Sequence, residues 1–128
     1  MPWDSTEANY GYGIGKPWLP QPSDWAQYCV DQEIDNPNSF LNLYKKSLHL
    51  RHNHPALGGE GDITWVDSAP GIMHFTREPG LEVVVNASTS AQHVNVKGVS
   101  LLLESADGVS LNKGVLVIPS DTTVWLQR

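Results

Sequence analysis

Leu81-Glu82-Val83-Val84-Val85-Asn86 is a run of mostly β-branched apolar residues broken by one acid and preceded by the turn pair Pro79-Gly80. It is too short for a helix. A strand with one wet face alternates apolar and polar residues, so a nearly continuous apolar run predicts a central strand covered on both faces. Similar short segments surround it: Asp62 to Val66, Gly71 to Arg77, His93 to Val96, Val99 to Leu103, Val115 to Ile118 and Thr123 to Leu126. Each is rich in β-branched or aromatic residues, and Asp107-Gly108 and Asn112-Lys113-Gly114 supply further turns. Strands at this tight spacing predict a small antiparallel β-sandwich.

Upstream of Gly58-Gly59 the period is helical. Phe40, Leu41, Tyr44, Leu48 and Arg51 fall along one face, with Leu43, Ser47 and Leu50 beside it. Asn36 in the capping position and Pro37 at the first helical position predict the start, and Pro55 the stop, of a helix from about Pro37 to about Asn53. Before it, Met1 to Cys29 carries prolines, glycines and rings at a density that regular structure does not tolerate. Ser23-Asp24-Trp25-Ala26-Gln27-Tyr28 reads as a short helical turn with Ser23 able to cap it. The rest reads as an irregular aromatic loop. Loops of this length are uncommon in compact domains, and those that occur are functional or belong to a larger framework. The fold class expected is therefore mainly β, an irregular aromatic loop and one long α-helix preceding the sandwich.

Composition narrows the function. With 128 residues, a net charge of −6 and a pI near 5.1, the chain lacks the cationic surface that nucleic acids or anionic lipids require. Neither partner is expected. No apolar run is long enough to cross a bilayer, no leader pattern is visible, and the single cysteine, Cys29, cannot pair internally. A cytoplasmic location is the expectation.

Chemistry-bearing clusters are few. His49, His52 and His54 share a helix end, but a zinc site needs further ligands and only His74 and His93 remain, both far along the chain. Imidazoles at a helix C-terminus already gain from the dipole, so no metal and no cofactor is expected. Glu60, Asp62, Asp67, Glu78, Asp107 and Asp121 fall in or beside turns, where solvated carboxylates are ordinary. Gly11-Tyr12-Gly13-Ile14-Gly15 lacks the flanking strand and helix of a phosphate-binding loop. Cys29 reads as a small packed side chain, and Asn86-Ala87-Ser88 as a chance glycosylation sequon. What stands out is the aromatic front. Trp3, Tyr10, Tyr12, Trp18 and Trp25 offer faces that can stack on a sugar ring, and Asp4, Asn9 and Gln21 can bond its hydroxyls. The alternative for each ring is packing inside the protein.

Taken in order, these segments resemble the end of an α-glucosidase of the α-amylase superfamily. Met1-Pro2-Trp3-Asp4 is similar to the Pro-Met-x-Trp-Asp loop after the last barrel strands, and Lys16-Pro17-Trp18-Leu19-Pro20 to the Pro-Trp-Leu-Pro stretch that follows. Asp35-Asn36-Pro37-Asn38-Ser39, Leu43-Tyr44-Lys45-Lys46, Leu50-Arg51 and Pro55-Ala56-Leu57 resemble the signature of the final barrel helix. Val83-Val84-Val85-Asn86-Ala87-Ser88 looks like a strand of the C-terminal β-domain. Many members carry Asn-Ala-Gly-Phe where this chain has Ala8-Asn9-Tyr10-Gly11-Tyr12.

The resemblance implies a division into a barrel remnant, residues 1–57, and a C-terminal antiparallel β-domain, residues 58–128. It implies retaining hydrolysis of short α-glucosides by the intact enzyme, with Trp3, Asp4 and Tyr12 near the mouth of the site. The family's catalytic acids belong to motifs upstream of the matched segment, so no catalytic residue is expected here and the chain is expected to be inert alone. Expected partners are an oligosaccharide, bound through the intact enzyme, and the missing barrel. A homodimer that covers the helix face, or that helix folded back on its own sheet, is a further expectation. A free-standing carbohydrate-binding module or a plain interaction domain are the alternatives.

Overall fold

A computed structural model describes residues 1–59 and 61–128. Glu60, expected beside a turn, lies outside the described residues. The chain divides into two compact units, Met1–Lys46 and Ser47–Arg128, with the boundary inside the long helix.

In the first unit, the loop is organised by hydrogen bonds more than by a core. A 3-10 turn, Ser23–Tyr28, precedes α1, Val30–Glu33, and then the long helix α2, Phe40–Asn53. The turn forms where expected, but the residue in its cap position is Pro22 and Ser23 makes no cap hydrogen bond. The helix also starts later than Asn36 and Pro37 predict. Ser39 is the working cap, its Oγ accepting from Asn42 N–H at 3.2 Å while the Glu33 carboxylate accepts from Leu41 N–H at 3.0 Å. Asn36 instead folds a tight turn, its Oδ1 accepting from Asn38 N–H. Asn42 returns the favour by donating to the carbonyls of Glu33, Ile34 and Asn36, which end α1. Along α2, Phe40, Tyr44 and Leu48 are exposed, and Leu41, Leu43 and Leu50 are half-buried.

The second unit holds two antiparallel sheets. β1 (Ile63–Trp65), β2 (Ile72–Arg77), β3 (Leu81–Asn86), β8 (Thr122–Gln127) and β5 (Ser100–Glu104) form one, in the order β1-β2-β3-β8-β5. The other is β4 (Gln92–Asn95), β7 (Val115–Ile118) and β6 (Ser110–Asn112), in the order β4-β7-β6. β3 sits in the middle of the larger sheet and all of its residues but Val85 are buried, as its apolar run predicts. Strand β6 has no counterpart in the sequence reading, because it is three residues long and merges into the turn Lys113-Gly114 that pairs it with β7. Both turn residues take positive φ, and a Cβ on Gly114 would stand 2.8 Å from the Val96 carbonyl.

Alternation along β3 serves two cores. Val84 joins Val124, Leu126, Val96, Leu116 and Ile118 between the sheets, whereas Leu81 and Val83 pack on the opposite face with Ala56, Leu57, Phe75 and Trp125. Each fully buried aliphatic side chain contributes about 1.5–3 kcal/mol. His54 pins the chain over that outer face, its Nδ1 accepting from Ala56 N–H and its Nε2 lying 2.7 Å from Gln127 Oε1. This contact fixes Nε2 as the protonated nitrogen, donating to the glutamine carbonyl.

Two polar side chains of β3 point inward. Glu82 Oε1 lies 2.7 Å from His74 Nε2, both residues buried. Asn86 is fully buried, its Nδ2 donating to the carbonyls of Ser90, Ile118 and Pro119 and its Oδ1 accepting from Ser88 N–H and Oγ–H. That burial leaves its amide no access for glycan attachment. Among the described residues, no helix is long and apolar enough to cross a membrane.

Two stability predictions follow from these groups. Asn86→Ala, measured by urea unfolding, should cost about 3 kcal/mol through stranded carbonyls, and Asn86→Asp more, because a carboxylate would face three acceptors. Glu82→Ala should cost about 3–5 kcal/mol by leaving His74 buried without its partner, whereas His74→Leu combined with Glu82→Leu should come out near neutral.

Candidate functional site

Trp3, Asp4 and Tyr12 belong to one closed loop of the first unit. Trp3 and Asp4 end an extended lead-in whose other side pairs with the start of α1, Val30 N–H donating to Pro2 O at 3.1 Å and Asp31 N–H to Trp3 O at 3.3 Å. The lead-in then folds onto the 3-10 turn Ala8–Gly11: Trp3 N–H and Asp4 N–H both donate to Tyr10 O, at 3.0 and 3.4 Å. Tyr12 N–H donates to Asn9 O at 3.1 Å, and its hydroxyl to Met1 O at 2.6 Å. The backbone thus brings the three together, with Trp3 55% and Tyr12 50% exposed.

Asp4 is only half-buried, and its carboxylate is partly spent on the loop. Oδ1 accepts from Thr6 N–H, Thr6 Oγ–H and Glu7 N–H at 2.8, 2.7 and 3.2 Å. All three land on one oxygen, so Oδ2 keeps its lone pairs for an outside donor. The bond from the Thr6 hydroxyl, helped by the amides, holds the Asp4 carboxyl below the ordinary carboxylate range. Asp31 is lowered in the same way, chiefly by the Ser5 hydroxyl at 2.6 Å. Both stay charged at neutral pH.

The turn that receives these bonds is strained. Asn9 and Tyr10 take φ of 52° and 53°, left-handed values that cost a non-glycine residue about 1–2 kcal/mol each, with asparagine the more tolerant. Side-chain contacts offset the strain: Asn9 Nδ2 donates to Gly13 O and Gly15 O, and Tyr10 donates its hydroxyl to Pro22 O and sets its ring 6.4 Å from that of Trp25. Gly11, at φ 80°, lies so close to the lead-in that a Cβ there would meet Trp3 Cβ at 3.1 Å.

The other sequence candidates divide. Tyr10 and Trp25 are half-buried and pack on each other, while Trp18 is 94% exposed. Asn9 and Gln21, read as possible sugar ligands, turn their amides inward, Gln21 Nε2 reaching Asn9 O at 3.3 Å. The left-handed pair is absent from the sequence reading, and its only trace there is an asparagine two residues before a glycine. Cys29 is fully buried, and burial pushes its thiol pKa up. His54 is committed to Ala56 and Gln127 and His74 to Glu82, and among the described residues no group of three or more His, Cys, Asp or Glu could hold a metal ion.

The lowered Asp4 pKa gives a signed expectation. A carboxyl whose folded pKa is depressed lends its stability above the unfolded value, about 3.9, and loses it as the pH falls through the folded value. The Thr6 amide resonance should therefore hold steady from neutral pH to below about pH 4 and shift only under stronger acid, and in Asp4→Asn that shift should vanish.

Residues 1–60 match the alpha-amylase family, "Alpha amylase, catalytic domain". The chain is 32% identical over 117 residues to the oligo-1,6-glucosidase of Parageobacillus thermoglucosidasius, covering 84% of this chain and 20% of the relative. To the glucan 1,6-alpha-glucosidase of Streptococcus pneumoniae it is 27% identical over 126 residues, covering 94% of this chain and 23% of the relative. Among solved structures, the trehalulose synthase MutB of Pseudomonas mesoacidophila superposes with a TM-score of 0.79 at 25% identity, covering 98% of this chain and 24% of that one. The chain thus spans about a fifth to a quarter of the length of the proteins it matches. Sequence and fold together relate it to the glucosidases of the alpha-amylase superfamily.

Proposed function

We propose that this chain is the part of an α-glucosidase that supplies the last loop and helix of the catalytic barrel and the C-terminal β-domain behind it, and that it supports hydrolysis without performing it. The observation that carries this reading is a single likeness in sequence and fold that runs through 98% of the chain and only 24% of the matched enzyme. The names of the curated relatives point to α-1,6-linked glucosides as the substrate class of the whole enzyme. In that enzyme Trp3 stacks on a glucosyl ring, Asp4 accepts from its hydroxyls through Oδ2, and Tyr12 walls the same mouth.

Two features support the need for a larger framework. Phe40, Tyr44 and Leu48 make an exposed apolar row along α2, of the kind the remainder of a barrel covers. The first unit also has little core of its own, with Pro2, Cys29 and Ser39 the buried members among its described residues. The β-domain, with two buried clusters, is the self-sufficient part.

The purified chain should turn over no nitrophenyl α-glucoside, and turnover that survives repurification would overturn the supporting role. It should still bind isomaltose weakly, in the millimolar range where a few stacking and hydroxyl contacts place an affinity of about −4 kcal/mol. Calorimetry showing no heat at all would remove the sugar-contacting assignment of the loop.

A further inference from the structure

The three side chains assigned to the sugar are held by two carbonyls. Tyr10 O takes the amides of Trp3 and Asp4, and Asn9 O takes that of Tyr12. Both carbonyls point where they do because Asn9 and Tyr10 are left-handed, a conformation that turns a peptide plane away from its ordinary direction. A right-handed or extended Asn9–Tyr10 pair would release all three amides together. What locks the pair is the Asn9 carboxamide, whose Nδ2 spans to Gly13 O at 2.6 Å and Gly15 O at 2.7 Å, and so also closes the glycine-rich segment after Tyr12. Asparagine suits this position twice over, since it tolerates the left-handed region and carries two N–H donors on one nitrogen.

We propose that Asn9 is a positioning residue of the glucoside-contacting loop, setting Trp3, Asp4 and Tyr12 in one binding geometry without touching the sugar. The inference rests on the reading that this loop meets a glucoside, and it adds which residue makes the loop competent. Both of its side-chain N–H donors are engaged within the protein, on Gly13 O and Gly15 O, so its effect on affinity is indirect. The Thr6 and Glu7 amides cannot substitute for it, because they orient only the Asp4 carboxylate.

The test follows isomaltose binding to the full chain by calorimetry, and by the indole resonance of Trp3 wherever that residue is kept, with Asn9→Ala, Asn9→Gly and Trp3→Ala in parallel. Asn9→Ala, which loses both the clamp and the tolerance, should raise the dissociation constant at least about tenfold, and Asn9→Gly, which keeps the tolerance, by less. Thermal unfolding of the β-domain should stay put in both, and the indole shift extrapolated to saturation should match wild type, marking a loss of preorganisation. If Trp3→Ala abolishes binding while both Asn9 variants bind like wild type, the positioning role is overturned and the sugar-contacting role of the loop stands. If wild type itself shows no change at Trp3, the reading of the loop falls and this inference falls with it. Should Asn9→Ala fail to fold, Asn9→Gly decides: affinity equal to wild type overturns the proposal.

Discussion

The buried carboxamide of Asn86 is the constraint on which the β-domain depends. Apolar contacts between two sheets are non-directional, so by themselves they allow the layers to slide or rotate at little cost. Asn86 removes that freedom. Its nitrogen, carried by the larger sheet, donates to the carbonyls of Ile118 and Pro119 at the end of β7 in the smaller one, and to Ser90 on the connection between them. Its oxygen meanwhile closes the turn at Ser88. A group that is satisfied in one arrangement of the layers and stranded in others selects that arrangement.

Glu82 and Asn86 flank Val84 on the same inward face, so the layer between the sheets is apolar at its centre and polar on either side along β3. The first unit is built on another principle. Reciprocal caps between α1 and α2, the Asp4 turn and the Asn9 clamp replace a core, and the large rings Trp3, Tyr12 and Trp18 are left facing outward. A loop held by directed bonds keeps its side chains free for a ligand, which a loop held by packing does not.

Much of the β-domain was legible because its signals are local. The apolar run of β3, the period-2 segments and the turn residues place seven of the eight strands without reference to their neighbours. The partners of buried polar groups are not local. Glu82 looks like an interruption in β3 until His74, across the ladder on β2, is in view, and Asn86 reads as a sequon until its carbonyl acceptors arrive from β7. The start of α2 moved because two caps compete: Asn36-Pro37 has the better sequence signature, but Ser39 also reaches the Glu33 carbonyl at 2.9 Å and joins two helices at once. In the loop, Trp3, Asp4 and Tyr12 were visible as types, and the left-handed turn that gathers them was not, since one asparagine near a glycine is too common a pattern to signal it.

Cys29 is the chain's only thiol, and it lies shut in the first unit with its Sγ near the Trp25 carbonyl. A sulfhydryl reagent therefore has a single address, and it can be reached only when that unit opens. Labelling kinetics would clock the opening of the packing around Cys29, and the chain carries this stopwatch without an engineered probe.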